Sequence, residues 1–319
     1  MDAGAEARTH ALLATARSLA VDGVTAELAR AFRAAGIPMI LLKGPTIATW
    51  LYDDGASRFY LDSDVWVSPP LFVAAERTLA ELGFQRRPPT VAPRKGERPH
   101  AEPWFRPADR AEVDLHRTLS GVGVAPERAW ALLAPEAADE MVGGEPVAVL
   151  PLPVRALLVV LHAAQHGAGT AKPLEDLKRV LRRLTFEQWL EVADLARSLD
   201  AVAGLASGLR LLPAGAELAD RLRLASSELI ERATAERSSA RVALGFERLA
   251  ETRGVRRRAR LIASEFVPSP DFMRWWSPVA RRGPLGLAAA YLWRPFWLLW
   301  HAAPSLVTWR RARGDRGTR

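Results

Sequence analysis

The sequence contains no cysteine, so disulfide bonds, thiolate metal sites and cysteine nucleophiles are excluded. The first ten residues also lack the basic and apolar regions of a secretory signal, which together with the missing cysteines predicts a cytoplasmic protein. What is present is a composition typical of a folded globular protein, with 49% hydrophobic and 25% charged residues. The 319 residues are enough for two compact units, because domains usually have about 100–200 residues.

Positive charge is concentrated at the C-terminal end of the sequence. The formal net charge is +8, yet residues 1–150 hold 16 Lys and Arg against 20 Asp and Glu. Residues 251–319 hold 14 Arg against four acids, a net charge of 14 − 4 = +10. A basic segment of this kind attracts the phosphates of RNA or the head groups of anionic lipids. The charge therefore predicts RNA or an anionic membrane surface as a partner of the C-terminal segment only.

The N-terminal half alternates between helical and strand-like patterns. Apolar spacing and glycine or proline breakers predict a helix over residues 5–35, a strand over 37–42, a helix over 45–52, a strand over 59–67, a helix over 71–82 and a strand over 111–116. The Pro- and Arg-rich residues 86–103 are predicted to form a mobile loop between strands. Residues 153–250 have helical periodicity almost throughout. We therefore predict an α+β fold with a sheet domain over residues 1–150, a helical domain over 151–250 and a basic, Trp-rich helical tail over 251–319.

Two aspartates lie in the second predicted strand. Asp62 and Asp64 are two residues apart, so in a strand both carboxylates leave the same face. Two like charges in an apolar strand are costly unless a cation lies between them, and hard oxygen ligands suit Mg²⁺. Asp114, in the apolar strand-like run at 113–115, is a candidate third carboxylate. The alternative for the Asp-x-Asp pair is a turn or a helix cap.

A lysine and a glycine directly follow the first predicted strand. Lys43 and Gly44 open the next helix, where backbone N–H groups and the lysine charge can meet a phosphate. The alternative is a plain strand-to-helix turn with a solvated lysine. Arg58 can likewise reach a phosphate, or pair with Asp53 or Asp54.

These residues resemble the signature of an uncharacterised bacterial nucleotidyltransferase family of the DNA polymerase beta-like superfamily, often encoded near polysaccharide or peptide natural-product genes. The matching positions are Leu42-Lys43-Gly44, Tyr52, Arg58, Asp62-Ser63-Asp64, Val67, Asp114-Leu115-His116 and the helical residues 162–176. The resemblance extends over roughly residues 10–185. It implies a small mixed-sheet nucleotidyltransferase domain followed by a mostly helical C-terminal domain.

The resemblance also implies an activity, namely transfer of a nucleoside monophosphate from a nucleoside triphosphate such as ATP to an unidentified acceptor. In a two-metal Mg²⁺ site, Asp62 and Asp64 would hold the metal on the triphosphate, and Asp114 would help to activate the acceptor hydroxyl as general base or second-metal ligand. Two departures concern the nucleotide: Pro45 replaces the usual small residue, and the interval from glycine to aspartate is long, 62 − 44 = 18. The alternatives are a toxin-type nucleotidyltransferase that acts on tRNA and a non-catalytic nucleotide-binding module.

Three histidines and a charged pair complete the candidate residues. His162 and His166 share one helix face, where packing or substrate contact is favoured over a zinc site because no third ligand is evident. Lys172 and Asp176 have the same spacing and form either a helix pair or, as the resemblance implies, part of the nucleotide site with the two histidines. His116, two residues after Asp114, either tunes the acceptor site or bonds to a loop.

The C-terminal residues 284–309 are apolar and rich in tryptophan. Their length is sufficient to cross a bilayer, which needs about 20 residues, but Arg294-Pro295 near the middle argues against a span. Tryptophans beside arginines suit a membrane interface. The sequence leaves two alternatives open, an interfacial segment and a helix pair packed on the protein.

Overall fold

A computed structural model describes residues 3–52, 58–87 and 99–224, and near the C-terminus residues 270, 273, 277 and 279–298. The strands are β1 (Met39–Leu41), β2 (Ser63–Val67), β3 (Gln85–Arg86), β4 (Ala101–Arg106), β5 (Ala111–His116), β6 (Ala138–Val142) and β7 (Glu145–Val149). The helices are α1 (Ala3–Ala34), α2 (Pro45–Leu51), α3 (Phe72–Glu81), α4 (Pro126–Leu133), α5 (Leu152–His166), α6 (Ala171–Arg183), α7 (Phe186–Ser198), α8 (Val202–Leu209), α9 (Pro213–Arg221) and, over residues 284–298, α10.

The seven strands form one mixed sheet in the order β3-β4-β5-β2-β1-β7-β6. Two pairings are parallel, β2 with β5 and β1 with β7, while the other four are antiparallel. The strand β2 thus lies at the centre of the sheet, between β5 and β1. With helices in the C-terminal half of the described chain, the architecture is α+β, as the sequence predicted.

One face of the sheet forms the main hydrophobic core against α1 and α3. Side chains alternate along each strand, so Val65 and Val67 of β2 enter this core together with Val113 and Leu115 of β5. Phe32 of α1 is fully buried there. The alternate residues of β2 and β5 therefore leave the opposite face, and these include the aspartates.

The predicted elements differ from the structure in several strands, and β3, β6 and β7 have no predicted counterpart. The predicted strand over residues 59–67 is shorter, since β2 begins at Ser63 and Asp62 lies in a bend just before it. Residues 88–98 of the predicted loop lie outside the described residues, and the loop is wrong at both ends, since Arg86 belongs to β3 and residues 101–103 begin β4. Pro103 conceals this strand in the sequence, because proline cannot donate a ladder hydrogen bond and is usually a sign against a central strand.

The chain divides into two compact units. The first comprises residues 1–87, 100–162 and 175–205, and contains the whole sheet; the second comprises residues 88–99, 163–174 and 206–319. The domain boundary predicted near residue 150 stays a prediction, and the one near residue 250 lies outside the described residues. Among the described helices, none has the length and apolar character needed to cross a bilayer.

Candidate active site

The pairing of β2 with β5 brings two aspartates side by side on one face of the sheet. These strands run parallel in direct register, with Asp64 opposite Asp114 and Trp66 opposite His116. Their neighbours in sequence fill the hydrophobic core, so strand alternation sends these four side chains to the other face. Trp66 is fully buried and makes an edge-to-face contact with Trp130 of α4, with ring centroids 4.8 Å apart. This apolar wall adjoins the acidic residues.

Asp64, Asp114 and His116 form a compact cluster of potential metal ligands. One ligand atom of each residue lies within 4.8 Å of those of the other two. The Nε2 atom of His116 is 2.9 Å from Oδ1 of Asp64, and both residues are buried. Two carboxylates and an imidazole are donors that divalent cations accept, so the residues present fit a metal ion.

Lys43 supplies the positive charge of the cluster. Its Nζ donates to Oδ1 of Asp64 at 3.0 Å, and the N–H of Leu42 donates to the carbonyl oxygen of Asp64 at 2.9 Å. The turn after β1 is thus attached to β2 by both backbone and side chain. Lys43 is the counter-charge of an aspartate in this structure, which the sequence analysis did not anticipate.

The pKa values of the two aspartates are shifted in opposite directions. Burial would raise the pKa of Asp64, but the ion pair with Lys43 and the hydrogen bond with His116 outweigh it and lower that pKa below its usual range. The pKa of Asp114 is raised by burial and by repulsion from Asp64. Burial acts to lower the pKa of Lys43, yet Asp64 and the other two aspartates raise it overall. Asp64 is therefore ionised at neutral pH, whereas Asp114 accepts a proton more readily than an ordinary aspartate.

Asp62 has a different position from Asp64. It lies in the bend before β2 and is partly exposed, and within the described residues it is outside the three-residue ligand cluster. Its charge still contributes to raising the pKa of Lys43, so the two side chains interact electrostatically. Of the two aspartates predicted in this strand, Asp64 is therefore a buried strand residue, and Asp62 lies just before the N-terminal end of the strand.

The glycine turn and the approach to β2 are held together by Tyr60. Gly44 has a φ of +74°, and a Cβ added there would lie 3.4 Å from the Tyr60 ring. Helix α1 fixes Tyr60 from the other side: the Tyr60 N–H donates to Ser18 at 3.3 Å and its hydroxyl donates to Asp22 at 2.8 Å. The residues around Gly44 and Asp62 are thereby connected through one buried aromatic ring.

Arg58 and Asp176 form a buried ion pair. The Nε and Nη2 atoms of Arg58 donate to Asp176 at 2.8–3.0 Å, and the Tyr52 hydroxyl donates to the same carboxylate at 2.7 Å. Arg179 lies over the Tyr52 ring, 4.1 Å from its centroid. The arrangement attaches α6 to both ends of the connection between α2 and β2. The partner of Arg58 is thus Asp176, and neither Asp53 nor Asp54 is among the described residues.

The remaining predicted binding residues lie on α5 and α6. His162 and His166 are half-buried on α5, and Lys172 is exposed in the first turn of α6. Each has an interaction partner. Their predicted part in nucleotide binding stays a prediction.

One residue near the cluster was missed by the sequence analysis. His100 directly precedes β4, and its ring centroid is 5.8 Å from that of His116. Burial, then the neighbouring His116 and Lys43, lower its pKa to about 4. The place of His116 follows from strand alternation after Asp114, whereas nothing local in the sequence marks His100, because β4 itself is concealed by Pro103.

The chain is similar to known proteins in sequence and in structure. A family model described as an uncharacterised nucleotidyltransferase matches residues 4–214. No curated protein matches the sequence.

Two solved structures illustrate the structural matches. The solution structure of the antibiotic-resistance factor ANT(2'')-Ia is 17% identical, with a TM-score of 0.41, covering 58% of this chain and 92% of that chain. The crystal structure of an antigenic nucleotidyltransferase-like protein from Paracoccidioides brasiliensis is 15% identical, with a TM-score of 0.34, and the match covers 59% of this chain and 94% of that chain.

Proposed function

The chain belongs to the uncharacterised nucleotidyltransferase family, and on that premise we propose that it moves a nucleoside monophosphate from a nucleoside triphosphate to a hydroxyl-bearing acceptor. The observation that carries the proposal is the direct register of Asp64 and Asp114 on adjacent parallel strands. Asp64 is buried and Asp114 is half-buried, and two carboxylates brought together beside a lysine suit a cation and a polyphosphate.

We assign metal binding to Asp64 and Asp114, with His116 as a third donor and Asp62 as a ligand at the exposed edge. Mg²⁺ is the cation that the carboxylates favour, and when bound it would offset charge on the triphosphate and on the attacking and leaving oxygens. The fit rests on the three donors that lie within 4.8 Å of one another. We propose that the site holds two Mg²⁺ ions.

The other residues of the site have distinct proposed roles. Lys43 provides a positive charge for the phosphates, and Gly44 allows the backbone to approach them because it carries no side chain. Asp114, whose pKa is raised, takes the proton of the acceptor hydroxyl as general base. Arg58 and Asp176 are assigned to positioning, since Arg58 donates to Asp176 at 2.8–3.0 Å and the pair is buried.

The acceptor is proposed to be a small molecule, a peptide or glycan intermediate, or a protein. tRNA is the alternative acceptor, and a nucleotide sensor without transfer activity is the alternative function. The predicted cytoplasmic location stays a prediction.

The proposal is tested by transfer of label from each of the four α-³²P nucleoside triphosphates to cell extract in the presence of Mg²⁺. Asp64→Asn and Asp114→Asn should each lower transfer by about hundredfold or more, because each removes a ligand or the base. Asp139→Asn is the matched control, an exposed aspartate on β6, and should retain wild-type transfer.

Three results would decide between the alternatives. Labelled product that ribonuclease destroys would identify tRNA or another RNA as acceptor. Nucleotide binding in equilibrium dialysis without any transfer or pyrophosphate release would favour the sensor. Wild-type transfer by the Asp64→Asn, Asp114→Asn double variant would overturn the assignment of the site.

A further inference from the structure

The solvent-facing side of α10 is apolar along its whole described length. Residues 285, 288, 289, 292, 293 and 296 are all exposed, and they are Leu, Ala, Ala, Leu, Trp and Phe. The four large side chains are 60–87% exposed: Leu285 87%, Leu292 73%, Trp293 60% and Phe296 66%. Their spacing of three, four, seven, eight and eleven residues places them in one stripe on the helix.

The opposite side of α10 already has its own packing. Ala290 is buried with Met273 and Ala280, and Leu287 and Tyr291 pack against this cluster. Within the described residues, the core contacts of α10 thus lie on the side opposite the exposed stripe.

The exposed side of this helix lacks the charged residues that an ordinary surface helix carries there. Arg294 is 3% exposed and has an interaction partner, whereas Trp293 beside it points to solvent. A surface helix normally exposes its charged residues and buries its apolar ones. A contiguous exposed apolar stripe on a folded protein marks contact with a partner or a membrane.

The surrounding charge identifies the kind of partner. Arg281 and Arg282 precede the helix, Arg310, Arg311 and Arg313 follow it, and residues 251–319 carry a net charge of +10. An exposed apolar stripe with tryptophan, in a segment whose sequence is strongly basic, is typical of a helix that lies in the head-group region of an anionic bilayer.

Two other partners fit the stripe less well. RNA offers phosphates and bases, and the leucine and alanine side chains have no donor for a phosphate. A second copy of the chain would need about 20–30 residues on each side for a stable interface, whereas the stripe has six. The observations therefore favour lipid.

We propose that α10 binds an anionic membrane surface through Leu285, Leu292, Trp293 and Phe296, lying in the interface without crossing it. The apolar side chains enter the boundary between head groups and acyl chains, and the flanking arginines are attracted to the lipid charge. This assigns a peripheral membrane site to the chain and does not depend on its transfer activity.

The experiment is co-sedimentation of the full-length protein with vesicles of phosphatidylcholine and phosphatidylglycerol, compared with vesicles of phosphatidylcholine alone. We expect binding to the anionic vesicles that weakens as salt increases, because screening removes the electrostatic part. The Leu285→Ser, Leu292→Ser, Phe296→Ser variant should bind about tenfold or more weakly, since three apolar side chains no longer leave water. A second variant, Trp293→Ser alone, should show a smaller loss.

The control variant carries Met141→Ser and Leu190→Ser, two exposed apolar residues outside α10 that are 70% and 44% exposed. It should sediment like the wild type, and circular dichroism should show that every variant is folded. Absence of wild-type binding, or equal binding of wild type and triple variant, would overturn the proposal. Two further results would overturn it. In one, the wild type is a dimer in analytical ultracentrifugation and the triple variant is a monomer; in the other, the wild type binds tRNA in a filter assay and the triple variant does not.

Discussion

At the scale of single residues, Lys43 decides whether Asp64 can remain buried and charged. The carboxylate is 5% exposed, and Lys43 Nζ lies 3.0 Å from it. Lys43→Ala should destabilise the protein in EDTA by about 3–5 kcal/mol, because removing one partner of a buried pair leaves the other uncompensated. The loss is measured by urea unfolding, and added Mg²⁺ or Mn²⁺ should recover part of it by binding to the freed carboxylate.

A surface lysine provides the comparison. Lys178 is 50% exposed and 3.9 Å from Glu175, so Lys178→Ala should change stability by less than about 1 kcal/mol. If Lys43→Ala is as stable as Lys178→Ala in EDTA, Lys43 is not the counter-charge of the site. If it is destabilised but unaffected by either cation, the metal assignment loses its support.

His100 should make the stability of the protein depend on pH. Its pKa is lowered from 6.5 to about 4, so the unfolded chain takes up a proton on this residue before the folded one does. Stability should therefore fall as the pH decreases from about 6.5 to about 4, by about 2–3 kcal/mol, with no further contribution below that range. His100→Gln removes the titrating group, and the difference between the two unfolding curves in EDTA isolates it. Parallel pH profiles of wild type and variant would contradict this.

At the scale of elements, the Arg58–Asp176 pair attaches α6 to the connection between α2 and β2. Asp176→Asn leaves the buried Arg58 without its counter-charge and should lower stability by about 3 kcal/mol or more, measured by urea unfolding. Glu175→Gln is the control, since Glu175 is 42% exposed and pairs with Arg179 at the surface. The nucleotide affinity of Asp176→Asn distinguishes a positioning role from direct contact with the nucleotide. If this variant is as stable as the wild type but binds nucleotide more weakly, Asp176 contacts the nucleotide.

The elements predicted from sequence are those whose local pattern decides their structure. The helix before Gly36, the short helix after Gly44 and the strand over residues 111–116 all agree with the structure to within a few residues. β4 could not be predicted, because Pro103 is a sign against a central strand. The sequence does not show that residues 101–106 pair with β5 along their whole length.

At the scale of the whole molecule, the candidate site depends on contacts far apart in sequence. The sequence indicated that Asp64 and Asp114 are acids in apolar strands, but it could not indicate that these strands pair parallel in direct register. It likewise left open whether residues 284–309 pack or face outward, since both alternatives require an apolar helix. In the structure residues 284–298 form a helix with one packed and one exposed side, while residues 299–309 lie outside the described residues, so the interfacial segment stays a prediction.

The register of β2 and β5 also has a consequence for how the chain assembles during synthesis. Asp64 leaves the ribosome long before Asp114, and until β5 docks it has no acidic neighbour across the sheet. The strand that introduces the second acid also introduces His116, two residues later, whose imidazole bonds to Asp64. Lys43 precedes Asp64 in the chain and bonds to it, so the carboxylate that arrives with β5 meets an aspartate that already has a cationic partner, and His116 adds a second nitrogen donor in the same docking event.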